Sequence, residues 1–343
     1  MCKRNCIIAL IVVLVLHTLS YAADHYPRGT IKALDRTLNR ELPVEGAIIM
    51  IESNGQKYET VTDSQGNFAF PSLKDQWASY RLKWQTANNS FDIRTNAFGQ
   101  AFLEGPRGTS QWNTVIREGE QQFYATIFRA GISYLKSEWV SPRDRFTKVS
   151  IKAYPNLKPF GKGSARHNAL SENIQIWGRS KSGKKLSDVR LFSYVVHELG
   201  HAHHDQFFSG GSQHLRTSLR LKESWAEACR YFLTRDTYGE DLEEVKDYSK
   251  QIPFFSGWRN KNWGKREKYY YNYTPFIIDL IDTFDQKEVR DRVSGYTMKQ
   301  IQQAMEQPDC RDLSDLARIL KGRYDNPTKI YLDELLAEME EQK

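Results

Sequence analysis

Cysteine is scarce in this 343-residue chain: there are four, and Cys2 and Cys6 fall in the first 22 residues, leaving Cys229 and Cys310. That excludes a disulfide-dense scaffold and a four-cysteine metal site in the body of the chain. The remaining pair can bridge in an oxidising compartment, or Cys229, on an expected helix, can be a buried thiol; the sequence leaves both open. Long hydrophobic runs are lacking as well. After Leu16 nothing approaches the roughly 20 apolar residues that span a bilayer as a helix. Low-complexity tracts and fixed-period repeats are missing, which excludes solenoids. Neither sign of charge dominates, with 49 Lys and Arg against 42 Asp and Glu. With no nucleic-acid motif beside that balance, nucleic acid is not an expected partner.

What is there begins with an address. Lys3 and Arg4 precede the eleven-residue apolar run "CIIALIVVLVL", and "SYA" (Ser20 to Ala22) offers small residues to a signal peptidase. Residues 1–22 are expected to be a signal peptide, cut after Ala22. The other reading is an uncleaved anchor, but the run is too short to span. The mature chain is expected to be secreted or periplasmic, with no stable membrane insertion. Loss of Lys3 and Arg4 lowers the formal net charge from +7 to +5. Nothing in the sequence sets the oligomeric state.

The expected fold class is α+β and multidomain. From Gly29 to about Leu103, short runs such as "GAIIMIES", "KYETVTD", "NFAFPSL" and "YRLKWQT" alternate apolar and polar residues between turn signals at Asn54-Gly55 and Ser64 to Asn67. This pattern predicts a small antiparallel sandwich over 27–105. "PVEGAIIMI", "TVTDSQGNFAFPSL" and "YRLKW" resemble the transthyretin-like domain of the carboxypeptidase regulatory family over some 60 residues. The resemblance implies a fold and an accessory role, and no catalytic residue. The boundary is expected in Leu103 to Trp112, and a second domain over 115–343. It opens on a helix in "EQQFYATIFRAGISYLKSEW", followed by two strands, "KVSIKAY" and "NIQIWG". From about 239 it becomes a helical subdomain.

Histidine is also rare. Of eight, four lie in "HELGHAHH", His197 to His204. "LSDVRLFSYVVHELGHAHHDQFF" reads as one helix capped by Ser187. His197 and His201, four positions apart, share a face, about 40° apart around the axis. Glu198 is offset by about 100°, beside a metal and not on it. Two imidazoles on zinc and a carboxylate able to take a proton from zinc-bound water are what a metallopeptidase needs. A catalytic zinc keeps three protein ligands, so one is missing. In "TSLRLKESWAEACRYFL", Glu223 and Glu227 are four apart. Two readings stand. They are a solvated acidic edge, or Glu223 is the third zinc ligand and Glu227 bonds the outer nitrogen of a ligand histidine. Asp205 is the other candidate ligand. His203 and His204 point away from the ligand face; His204 reads as an ordinary exposed histidine, with the cleft rim as its other reading. A metzincin site fails, because Phe207 stands where its third histidine belongs.

HELGH followed by Glu223-Ser-Trp-Ala-Glu227, 22 residues past His201, resembles the gluzincins, zinc peptidases with a thermolysin-like core, over roughly residues 120–290. The resemblance implies a Zn2+ cofactor held by His197, His201 and Glu223, and Glu198 as general base. It implies a peptide or protein substrate laid along an edge strand, which "NIQIWG" would be. Such families also use a downstream Tyr or His on the oxyanion. "KREKYYYNYTPF" offers Tyr269 and Tyr270, and Tyr271 or Tyr273 is the choice. Tyrosines before an apolar helix also pack locally without catalytic duty. The chain departs from the family at Lys222, where many relatives have Asn, and lacks a long C-terminal lobe. No aminopeptidase-type segment precedes the helix, which favours an endopeptidase. Two other readings remain. One is a non-catalytic secreted or envelope protein that binds a partner or glycan, although a structural zinc site needs no base such as Glu198. The weaker is metal storage on the histidine run.

Overall fold

The structure, a computed structural model, describes residues 26–53, 55–73, 78–95, 99–137, 149–159, 165–168, 173–207, 216–239, 275–283 and 292–341. The fold is mixed α/β, with two mixed sheets and no closed barrel among the described residues. The strands before the first helix are β1 (Arg28–Asp35), β2 (Arg40–Pro43), β3 (Ala47–Ser53), β4 (Gln56–Val61), β5 (Asn67–Ala69), β6 (Ser79–Thr86), β7 (Phe91–Thr95), β8 (Gly99–Gln100), β9 (Phe102–Arg107) and β10 (Gln111–Ile116). Helix α1 (Gly119–Lys136) follows, then β11 (Val149–Tyr154), β12 (Ala165–Asn168), β13 (Asn173–Trp177), α2 (Asp188–Gln206) and α3 (Leu219–Tyr238). Short helices close the described chain: α4 (Phe276–Asp279), α5 (Met298–Met305), α6 (Leu313–Arg323), a 3-10 turn at Pro327–Tyr331 and α7 (Leu332–Glu341).

The expected runs form strands where alternation places them. Hairpin β3–β4 closes at Ser53↔Gln56. The Ser64 to Asn67 turn is held by Asp63, whose Oδ1 accepts from the backbone N–H of Gln65 (2.9 Å) and Asn67 (2.8 Å). Gly66 has φ +77°, and a Cβ there would lie 2.3 Å from the Ile31 carbonyl oxygen, so only glycine serves. The first sheet has the order β10-β1-β2, with β5 also on β1; the second runs β12-β13-β11-β7-β6-β3-β4, with β8 on β7 and β9 on β6. Tyr80, Leu82 and Trp84 alternate onto one buried face of β6. Tyr80 meets Phe68 and Trp112 of the first sheet, with ring centroids 6.1 and 5.8 Å away. Trp84 meets Phe128 of α1 at 5.6 Å.

The N-terminal part departs from the expected antiparallel sandwich in three ways. β1 pairs in parallel with β10, which lies beyond residue 105. Leu103 to Trp112, expected as a linker, is largely strand, because β9 pairs with β6 and β10 with β1. The second sheet also continues across the expected boundary, since β7 pairs in parallel with β11, from Val149↔Phe91 to Ala153↔Thr95. Glycine and proline in "LEGPRG" read as a break, but they sit in a strand beside the main path of the sheet, where such residues are tolerated. Cys229 and Cys310 are free and buried. No helix among the described residues is long and apolar enough to cross a membrane. The expected signal peptide and the expected helix "GEDLEEVKDYSKQI", from its second residue on, lie outside the described residues.

Two adjacent residues at the end of β1 tie the sheets to the long helices. Asp35, fully buried, accepts from the guanidinium of Arg129 on α1 and, at 2.8 Å, from the Tyr238 hydroxyl at the end of α3. Burial pushes the Tyr238 phenol well above its ordinary range, so it stays a donor. Arg36 grips Asp188, the first residue of α2, with Nη2 on Oδ1 (2.6 Å) and its backbone N–H on Oδ2 (2.7 Å). Burial raises the Asp188 carboxyl, but Arg36 overcomes this and holds it below the usual range. Removing one partner of such a pair leaves an uncompensated charge. Asp35→Ala is expected to cost about 3–5 kcal/mol of global stability, read as a lower urea midpoint. An unchanged midpoint would show that the network contributes nothing.

Candidate metal centre

Helices α2 and α3 supply the centre, and local sequence explains both. Ser187 caps α2 by accepting from the Arg190 N–H, and Ser218 caps α3 by accepting from the Leu221 N–H. The inward face of α2 (Val189, Phe192, Val195, Val196, Leu199) is buried to 1% exposure or less, and each such side chain stabilises the fold by about 1.5–3 kcal/mol. The two helices cross where Gly200 meets Ala226. A Cβ on Gly200 would lie 3.1 Å from the Ala226 Cα, and the Gly200 carbonyl accepts from Trp225 Nε1 at 3.2 Å.

Three donor atoms converge. His197 Nε2 lies 3.1 Å from His201 Nε2 and 3.4 Å from Glu223 Oε2, and His201 Nε2 lies 3.3 Å from that same oxygen. Donors bound tetrahedrally at about 2.0–2.1 Å stand about 3.3–3.4 Å apart, so this triangle has the dimensions of one face of such a site. Glu223 Oε2 is buried against the two ring nitrogens. The outer nitrogen of His197, Nδ1, lies 3.1 Å from Glu227 Oε1. A proton held there leaves Nε2 bare as a ligand atom. Glu227 is in turn bonded by Arg230 Nη1, at 3.0 Å to Oε1 and 3.4 Å to Oε2.

No protein-family model matches this chain, and no curated protein matches it.

The electrostatics agree with a cation site. Burial opposes a charged His197, yet hydrogen bonds to Glu223 and Glu227 push it up to about 10. Burial likewise opposes an ionised Glu223, but the two imidazoles hold it well below the carboxylate range. Glu227, against its own burial, is held at about 2 by Arg230 and His197. Glu198 differs. Burial raises its carboxyl, and His197, His201 and the backbone N–H of His167 only partly offset that.

The structure thus brings together His197, His201, Glu223 and Glu227, with Glu198 beside them. The three donors are a group that could hold a metal ion. Asp205, the other candidate ligand, turns elsewhere, with Oδ2 3.5 Å from His167 Nδ1 and Oδ1 3.7 Å from His204 Nδ1. Tyr271 and Tyr273, with Tyr269 and Tyr270, lie outside the described residues.

Two expectations are corrected. His204 is not exposed; it is 1% accessible, and His203 beside it is 3%. His203 Nδ1 pairs with the Tyr134 hydroxyl of α1 at 3.0 Å, and its ring lies edge-on to Phe207. And β13, "NIQIW", is not the edge strand. β12 pairs antiparallel along its outer side, with His167↔Ile174 in register. That pairing satisfies backbone groups which β13 would otherwise leave open.

His167 escaped the sequence reading. Its ring lies 6.4 Å from that of His201 at an interplanar angle of 17°. Burial pushes it down to about 4 despite Asp205. Its only signal was the rarity of histidine and its place between two expected strands.

Elemental analysis of the purified chain is expected to find about one metal ion per molecule. Glu223→Ala should lose the ion, and Glu227→Ala should weaken its retention by roughly 10–100-fold. Full occupancy in Glu223→Ala would remove that residue from the ligand set.

Proposed function

We propose that this chain is an exported zinc metallopeptidase of the gluzincin type, an endopeptidase acting on peptide or protein substrates. The observation that carries the reading is the triangle of His197 Nε2, His201 Nε2 and Glu223 Oε2, with sides of 3.1 to 3.4 Å, beside the carboxyl of Glu198. An imidazole–imidazole–carboxylate set with three members suits zinc and leaves a fourth position for chemistry. A purely structural site closes all four positions and needs no neighbouring base. The order of elements supports the same reading: parallel strands, the HELGH helix, then the Glu223 helix. On this reading the N-terminal strands have an accessory role.

The chemistry assigned to the chain's own groups is brief. Zinc held by His197, His201 and Glu223 would supply Lewis acidity to a water and to the scissile carbonyl. Glu198 accepts a proton from the water as its oxygen bonds to the carbonyl carbon. It delivers that proton to the amine nitrogen as the C–N bond breaks, and returns to the carboxylate. An extended substrate would add to the outer side of β12, the edge strand beside α2.

A second reading, a secreted binding protein with a structural metal, makes a different demand on Glu198. With zinc content confirmed equal, Glu198→Gln is expected to lower cleavage of a degenerate peptide library by roughly 10²–10⁴-fold, scored by mass spectrometry. Slow cleavage that is indifferent to Glu198→Gln, or no cleavage by the zinc-loaded wild-type chain, would favour the binding protein.

A further inference from the structure

Arg230 lies on α3, one turn beyond Glu227 and two beyond Glu223, and outside the donor set. Its Nη1 bonds both carboxylate oxygens of Glu227, at 3.0 and 3.4 Å. The nearer oxygen, Oε1, is the one that lies 3.1 Å from His197 Nδ1. The same guanidinium stands over the ring of Tyr194 on α2, with Cζ 5.5 Å from the centroid. Tyr194 precedes His197 by three residues, so it lies one turn away on the same helix. Tyr194, Arg230, Glu227 and His197 therefore form a closed loop that crosses from α2 to α3 and back.

We infer that Arg230 is a positioning residue for the metal centre: it holds the Glu227 carboxylate on His197 Nδ1 and so fixes the imidazole that presents Nε2. The inference rests on the metal-centre reading above and adds to it a residue remote from the ion. A carboxylate that is 7% exposed needs a partner to stay where it is. His197 alone offers one N–H. One guanidinium nitrogen, Nη1, serves both oxygens, and the position of the flat group over the Tyr194 ring keeps it aligned with the helix that carries the histidines. A lysine reaches the same carboxylate only as a point charge.

The test measures zinc dissociation constants by competition with a chromophoric chelator, on the full chain, for wild type, Arg230→Met, Arg230→Lys, Glu227→Gln and the double variant Glu227→Gln with Arg230→Met. Thermal unfolding of the metal-free proteins reports folding separately. Arg230→Met is expected to weaken zinc binding roughly tenfold, the lower end for loss of an outer partner of a ligand histidine. In the Glu227→Gln background the same change should cost less than about twofold, because Arg230 acts through Glu227. Arg230→Lys keeps the charge and loses the flat guanidinium over Tyr194, so a loss of roughly threefold is expected. If Arg230→Met does not fold, the lysine variant in both backgrounds carries the test. Equal losses in both backgrounds would mean a general structural role and overturn the inference. So would wild-type affinity in Arg230→Met, and this result leaves the metal centre standing. A wild-type chain that takes up no zinc overturns the centre and the inference together.

Discussion

The distance between α2 and α3 is set by a missing side chain. With no Cβ on Gly200, the Ala226 backbone approaches to a separation at which any other residue would have to push it back. The Trp225 indole, bonded to the Gly200 carbonyl, fills the space beside the crossing. His197 and His201 flank Gly200 on one helix, and Glu223 lies one turn before Ala226 on the other. The close crossing is therefore what lets a short glutamate side chain reach two imidazoles on a different helix. Wider helix spacing would leave the same residues in sequence and no triangle in space. Packed interiors resist such shifts, because each apolar contact around the crossing must be lost first.

The crossing fixes the middle of the helix pair, and the sheets fix its ends. Asp35 and Arg36 are neighbours in the chain, yet one reaches Tyr238 at the end of α3 and the other reaches Asp188 at the start of α2. Both anchors are charges taken largely out of water, which is tolerable only with complete pairing. The strands that would carry an accessory role in the proposed function are thus also part of what holds the helices. The continuous second sheet, passing from β7 to β11, has the same effect along its length.

Much of the candidate site was legible because helical periodicity is local. Four-residue spacing put His197 with His201 and Glu223 with Glu227, and the caps at Ser187 and Ser218 are short-range devices that a reader can find. The strands that follow alternation were legible for the same reason. What escaped depends on residues far apart in the chain. A helical wheel shows that His203 and His204 point away from the ligands, but not that Tyr134 lies there to meet His203. β12 has four residues and no apolar alternation, so only its pairing with β13 makes it a strand. The parallel ladder of β1 with β10 joins segments some eighty residues apart, and no local pattern announces such a partnership. Gly105 and Pro106 signal a break truthfully in most settings, and here the tertiary context overrides them.

The Asp35 network also has a direction in time. Its carboxylate is made early in synthesis, whereas the Tyr238 hydroxyl that completes it comes 203 residues later. At the usual pace of translation, about 5–20 residues per second, Arg129 follows Asp35 by roughly five seconds or more and Tyr238 by ten or more, so the buried network stays incomplete for that interval. The strand that bears Asp35 cannot settle into its final surroundings during that interval. Contacts of such long sequence separation slow folding and expose apolar strands meanwhile. The feature that locks the finished helices in place therefore makes the nascent chain dependent on being kept apart from its neighbours.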